Sequence, residues 1–369
     1  MKHVVIIIFQ AVKYLDRIKA FEKSLKKFKP VDSNFEIYYL KIMTETQTNK
    51  SEDSINKIIF TPNNSKNKIK LLENSYYFIN GACLKECLNK YIKNIKENKY
   101  YFISVGHSRG LGFYNMSDDG ERGFDILWNF ELAEAIKHLQ FELAIFNNCN
   151  VGLFDNLSLF SKNVKFLIGS ENYTSFKLFN IDLLLETLSK RIDSGGELVE
   201  IGQALYDNSL FSILSSLKEF SLKLDDLSLF YFDLLSFKKI KLDKQLDEIS
   251  LSLIKYFYKH LSELKKIRSR LPKVGSAIAT IDLIVFFKAI LNTVDNKKIK
   301  KELLNFNECF NNILLSPYQR ENKKELNGTS IYFPKIEMGI QIDSFYKYYI
   351  YNENKIPIKN WHKFLKSIQ

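Results

Sequence analysis

The chain is short of the residues that make linkers, staples and membrane spans. Its 369 residues include only 14 glycines, 6 prolines and 4 cysteines. So little glycine and proline, with no long polar tract, excludes a collagenous or low-complexity chain and argues against disorder. The cysteines, Cys83, Cys87, Cys149 and Cys309, form no CxxC pair, and no second His or Cys pair stands at zinc spacing. Neither a disulfide scaffold nor a structural zinc site is expected; free thiols in a reducing compartment are. The opening apolar run, VVIIIF after Met-Lys-His, is too short to cross a bilayer and is followed by no small-residue cleavage site. No later segment is long and apolar enough to span. The expectation is a soluble, cytoplasmic protein without a membrane partner.

What is abundant is core-forming material. Hydrophobic residues make up 46% of the chain, with 30 Phe and 20 Tyr, enough for a large core in one or two domains. The net charge is +12, but the lysines are scattered through every segment rather than gathered in one arm. Nucleic acid is therefore not an expected partner.

Patterning alternates strand and helix through the first half. HVVIIIF (3–9), FEIYYLKI (35–42), YYFISVG (100–106), FELAIFN (141–147) and VKFLIGS (164–170) are apolar runs of strand length. Helical spacing fills 13–28, 82–97 and 129–139, whereas 44–66 and 108–123 are polar or Gly/Asp-rich and read as loops. This alternation predicts a parallel sheet with helices on both faces. From 179 to 315 helical patterns dominate, and TSIYFP (329–334) is a late strand.

Chemistry in such sheets gathers at the carboxyl ends of strands. His107 and Cys149 follow the third and fourth buried runs directly. If those strands are neighbours, an imidazole and a thiol emerge on one rim, the pairing a thiolate nucleophile needs. The N–H groups of Ser108 and Cys149 are then candidate oxyanion donors. His3, His138, His260 and His362 have no cysteine after a neighbouring strand. A rival reading uses Gly106-His107-Ser108-Arg109-Gly110, a G-x-S-x-G match in which Ser108 is an esterase nucleophile. That elbow must open a helix at once, and LGFYNMSDDGERG has no helical periodicity.

At these residues the chain resembles the clostripain-like cysteine peptidases, relatives of gingipain, legumain, separase and the caspases. ISVGHSRGLGF and LAIFNNCNVGLF resemble their His and Cys stretches, LWNFELAEAI the helix between, and VKFLIGSEN the strand after. SLFYFDLLSFKKIKLDKQLDEIS (228–250), ATIDLIVFFKAI (279–290), NGTSIYFP (327–334) and the Trp361 and Phe364-Leu365 helix extend the likeness over nearly the whole chain. The resemblance implies an α/β, caspase-like, mostly parallel β-sheet flanked by helices. It implies a catalytic domain over 1–178 and a mainly helical region over 179–369 that returns the strand at 329–334.

It further implies an endopeptidase with Cys149 as nucleophile, His107 as its partner, and a substrate pocket shaped by Asn147, Ser170, Glu171 and the stretch to 180. Without a secretion signal, the expected substrate is an intracellular protein or peptide, with a regulatory protein as a further partner. Several relatives are activated by a cut between the catalytic His and Cys, which would place self-cleavage here at the Arg122-Gly123 bond; the alternative is an uncut surface loop over the cleft, since a neutral Asn147 pocket does not favour Arg122. Three departures stand out: Ser108 replaces the glycine after the His, Asn147 replaces the aspartate of members that cut after basic residues, and NYTSFKLFN replaces a Gly/Trp/Asp stretch. These departures keep open a non-cleaving binding or regulatory module. No cofactor or metal is expected, since no acidic loop has EF-hand spacing.

Overall fold

The computed structural model describes residues 1–10, 22–23, 28, 30, 34–42, 54–60, 66–73, 80–108, 110–114, 126–172, 180–220, 227–274, 279–319, 326–334 and 357–368. The strands within them are β1 (His3–Gln10), β2 (Phe35–Ile42), β3 (Ser54–Phe60), β4 (Lys66–Glu73), β5 (Lys99–Val105), β6 (Gly112–Tyr114), β7 (Ile126–Trp128), β8 (Phe141–Asn147), β9 (Val164–Gly169), β10 (Ser228–Asp233), β11 (Thr280–Asp282), β12 (Leu314–Gln319) and β13 (Ser330–Tyr332). The helices are α1 (Gly81–Tyr91), α2 (Asn129–Ile136), α3 (Phe154–Phe160), α4 (Ile181–Asp193), α5 (Leu198–Phe220), α6 (Leu234–Lys239), α7 (Leu242–Phe257), α8 (Leu261–Arg270), α9 (Leu283–Thr293), α10 (Lys297–Asn311) and α11 (Lys359–Ser367).

The main sheet has nine strands in the order β12-β10-β9-β8-β5-β1-β2-β3-β4. Its centre, β2 through β9, is parallel, and two antiparallel strands border it on each side. The continuous apolar runs are explained by burial on both faces. Along β1, Val4, Ile6 and Ile8 face one core together with Phe102, Ala144, Phe146 and Leu167. Val5, Ile7 and Phe9 face the other with Tyr101, Ile103, Leu143 and Ile145. The second core is closed by α4 and α5 through Leu184, Leu188, Ile201 and Leu205. The first is larger and takes in helices from both halves of the chain. Among the described residues no helix is long and apolar enough to cross a membrane.

Several expectations shift. The stretch 44–66, read as a loop, contains β3 and the start of β4, an antiparallel extension of the sheet. Its lysines hid the strand pattern, and outer strands tolerate lysine. The loop expected over 108–123 includes β6, which pairs with β7. The helix expected to run to 97 ends at Tyr91, because the Tyr100 hydroxyl donates to the Lys93 carbonyl (2.7 Å) and accepts from Ile95 N–H (2.8 Å), drawing that segment out of the helix. Of the helix expected over 13–28, only 22–23 are described as helical. The region after 178 sends β10 and β12 into the main sheet, so strands from both sides of that division share it. SLFYFD is ambiguous between buried helix and strand on pattern alone, and Pro317 in β12 disfavours a strand except at an edge, which is where β12 lies.

The late strand β13 pairs with β11, and its Ser330 N–H donates to the Gly152 carbonyl (3.0 Å), joining it to the loop after Cys149. Trp361 on α11 anchors this region. It is fully buried against Phe286, Phe333 and Phe364, and its indole N–H donates to the Tyr332 carbonyl (3.0 Å). Trp361→Ala should therefore destabilise the fold by about 3–5 kcal/mol, the usual cost of deleting a buried aromatic. Urea denaturation measures it; a loss below about 1 kcal/mol would contradict the anchoring role.

Candidate active site

The site is built by the pairing of β5 with β8. Their parallel register ends at Val105 opposite Asn147, so His107 and Cys149 each lie two residues beyond the last paired position. Neighbouring strands run about 4.8 Å apart, which brings the two residues to one rim of the sheet. Both are half-buried. The rungs beyond the register are a long Gly106 N–H bond to the Asn147 carbonyl (3.4 Å) and a side-chain bond from Asn148 Nδ2 to the Gly106 carbonyl (3.0 Å).

After Cys149 the chain turns sharply. Asn150 adopts a left-handed backbone (φ 58°), which Asn tolerates better than most residues. Its N–H donates to the Asn172 carbonyl (2.7 Å) and its Nδ2 to the Glu171 carbonyl (3.1 Å). Gly152 follows, with its N–H on the Ser170 carbonyl (2.8 Å). A Cβ at Gly152 would come within 2.9 Å of Glu171 Cα and 3.0 Å of the Gly328 carbonyl oxygen, so only glycine fits.

On the His107 side, Ser108 is buried and bridges to Phe113, and its Oγ accepts the Gly110 N–H (3.0 Å). Gly110 is left-handed (φ 84°), as glycine permits. The chain then enters β6, so the helix that a serine elbow requires does not follow Ser108. Its hydroxyl holds a turn instead.

The whole-chain architecture has solved counterparts. One is an inactive zymogen of a C11 protease from Parabacteroides distasonis, with TM-score 0.62 and 13% identity, covering 98% of this chain and 97% of that one. Another is a secreted C11 cysteine protease from Bacteroides thetaiotaomicron in complex with an irreversible peptide inhibitor, with TM-score 0.60 and 11% identity, covering 100% and 99%. No family model matches the chain, and no curated protein matches it.

The fold is that of the C11, or clostripain-family, cysteine proteases. Within this C11 fold Asn147 is buried at the end of β8. Ser170 and Glu171 are fully buried beneath the Cys149 turn. Ser170 Oγ lies 3.0 Å from Ser228 Oγ, and Glu171 Oε2 accepts the Gly328 N–H (2.9 Å). Arg122 and residues 173–179, expected at a processing site and in the pocket, lie outside the described residues. Cys87 is fully buried, and desolvation pushes its thiol up to about 12. Cys83 lies on α1 and Cys309 on α10. His3 opens β1 at the opposite end of the sheet. His362 sits 3.6 Å from Asp155. Among the described residues no three His, Cys, Asp or Glu side chains gather to hold a metal ion.

Asn148, Asn150 and Asp282 are parts of this site that sequence reasoning did not single out. The signal for the first two was the density of amides in FNNCN, since polar side chains in an apolar run must find buried partners. Asp282 caps α9, accepting the Val285 N–H (2.8 Å), and also receives the Asn327 backbone. Its carboxyl meets that of Glu171. Two carboxyls in contact need a proton between them. Burial first, and then the Asp282 charge, hold Glu171 well above the usual carboxylate range. Burial raises Asp282 too, opposed by its backbone donors at Val285 and Asn327.

Because the folded-state value of Glu171 lies above the unfolded one, the folded protein binds the extra proton. Its stabilising effect is complete below the ordinary glutamate range and is lost as pH rises toward the shifted value. Stability should fall as pH rises above the ordinary glutamate range, by as much as about 1.4 kcal/mol per unit. Glu171→Gln, which keeps a donor toward Asp282, should flatten that slope. Denaturant midpoints across the range measure it; equal slopes in both proteins would count against the shared proton.

Proposed function

We propose that this chain is a cysteine endopeptidase acting through a Cys149–His107 dyad. The observation that carries the reading is the β5–β8 register, which leaves an imidazole and a thiol at adjacent strand ends in a fold shared with C11 cysteine proteases. His107 takes the thiol proton, and the Cys149 thiolate attacks the peptide carbonyl carbon. Backbone N–H groups of Ser108 and Cys149 receive the developing oxyanion. The imidazolium then protonates the departing amine as the C–N bond breaks, leaving a thioester. Water, deprotonated by His107, releases the acid and restores the thiol.

The substrate is an extended peptide segment of a protein. The Bacteroides thetaiotaomicron C11 structure in complex with a peptide inhibitor supports this class. Four free cysteines support a reducing, intracellular compartment with the substrates there; control by a partner protein is proposed alongside. That C11 protease is described as secreted, so cell fractionation is the direct test of compartment. The alternative, a non-cleaving module of the same fold, is motivated by Ser108 and Asn147 and requires that Cys149 reactivity be independent of His107.

Cys149→Ala should lower kcat on a cleavable peptide by about 10⁴-fold or more, whereas Cys83→Ala, Cys87→Ala and Cys309→Ala retain most activity. Peptide-library turnover decides; wild-type rates from Cys149→Ala would sink the assignment. A second expectation concerns the residue before the cut. A neutral amide at 147 offers a basic side chain no charge-assisted bond. Wild type should show little preference for Arg or Lys, and Asn147→Asp should gain one. Strong cleavage after Arg that is indifferent to Asn147→Asp would remove Asn147 from the pocket.

A further inference from the structure

We propose that Asn129, Asn148 and Asn156 are positioning residues that set the separation of His107 from Cys149; this rests on the dyad reading above. Asn156, on α3, donates Nδ2 to two carbonyls at once: Gly110 in the His107 loop (2.7 Å) and Val151 in the Cys149 turn (3.0 Å). Asn129, the first residue of α2, donates Nδ2 to the same Gly110 carbonyl (2.5 Å) and to Asn156 Oδ1 (2.6 Å). Its backbone N–H also takes the Leu111 carbonyl (3.0 Å). Asn148 makes the third tie, from its Nδ2 to the Gly106 carbonyl (3.0 Å). All three side chains are fully buried.

The amide orientations are fixed by chemistry. Each Nδ2 faces a carbonyl oxygen, which only a donor can do. In the Asn156 group both hydrogens of each amide and both lone pairs of the Gly110 carbonyl are used. Asn129 Oδ1 and Asn148 Oδ1 meet no donor among the described residues. Buried acceptors without a donor are costly, so these asparagines are not the choice of packing alone; an apolar residue would fill the space without that cost.

What the amides join is the significant point. The sheet ladder fixes β5 against β8 only as far as Val105 and Asn147. Beyond it one long backbone bond remains, from Gly106 N–H to the Asn147 carbonyl (3.4 Å); the two chains then diverge, one toward β6 and the other into α3, and backbone pairing holds the distance between imidazole and thiol only weakly. The three amides cross that gap with their Nδ2 donors at Gly106, Gly110 and Val151, on both sides of the dyad.

The test reads Cys149 itself. Rates of iodoacetamide alkylation at Cys149 are measured by peptide mass across about pH 5–9 for wild type, His107→Ala, Asn156→Ala and Asn148→Ala, with thermal melts as the check on folding. The replacements are neutral, so a changed profile does not arise from a new charge. In wild type an imidazolium-paired thiolate reacts below the ordinary thiol range near pH 8.5, and His107→Ala loses that acid limb. Asn156→Ala should lose most of it too, with kcat down by about 10²-fold and KM within a few-fold, the pattern of misplaced catalytic groups. If Asn156→Ala does not fold, the same readings on Asn148→Ala decide. Folded variants with the wild-type alkylation profile and kcat overturn the positioning role and leave the dyad standing. An ordinary thiol profile in wild type, unchanged in His107→Ala, overturns the dyad and this inference together.

Discussion

The structure depends on one pairing, the parallel register of β5 on β8. A parallel ladder between fully buried strands has little freedom to slip, because a shift of one residue would turn Phe102 and Ile103, or Leu143 and Ala144, into the wrong core. The two faces differ: one is closed by α4 and α5, the other by the large aromatic layer from both halves of the chain. Register is thus fixed by burial on both sides. With it comes the meeting of the two strand ends from which His107 and Cys149 depart.

Around that meeting point the protein holds irregular backbone by buried polar contacts rather than by secondary structure. The Cys149 turn hangs from the β9 end through Asn150, Gly152 and the carbonyls of Ser170, Glu171 and Asn172. Glu171 then reaches down to Gly328 and Asp282, so the late β11–β13 pair underpins the turn. The C-terminal half therefore supports the rim. Its Trp361 secures β13, and β13 touches the loop after Cys149 through Gly152. A fold shared at 11–13% identity with C11 proteases is consistent with this division of labour, since packing of this kind tolerates wide substitution when pattern and volume persist.

Much of this was legible beforehand where one physical signal dominated. FEIYYLKI and FELAIFN gave strands with the expected bounds, because continuous apolar runs of that length have few other uses. The positions of His107 and Cys149 after such runs pointed to the rim. Elements were missed where two signals competed. Lysine in β3 and β4 masked an edge hairpin, Pro317 masked β12, and the apolar run 228–233 could have been helix or strand. The amides at 129, 148 and 156 were visible as letters but not as contacts.

The sequence by itself determined the alternation of strand and helix, the two-sided burial of the central strands and the candidacy of one thiol and one imidazole, because each follows from local pattern and residue chemistry. Only the tertiary structure decided which strands are neighbours, that β10 and β12 complete the same sheet, that Ser108 closes a turn, and that Glu171 meets Asp282. These are relations between residues far apart in the chain. A side chain's hydrogen-bond partner and the protonation of a buried carboxyl depend on what long-range packing brings against it, and no local pattern carries that information.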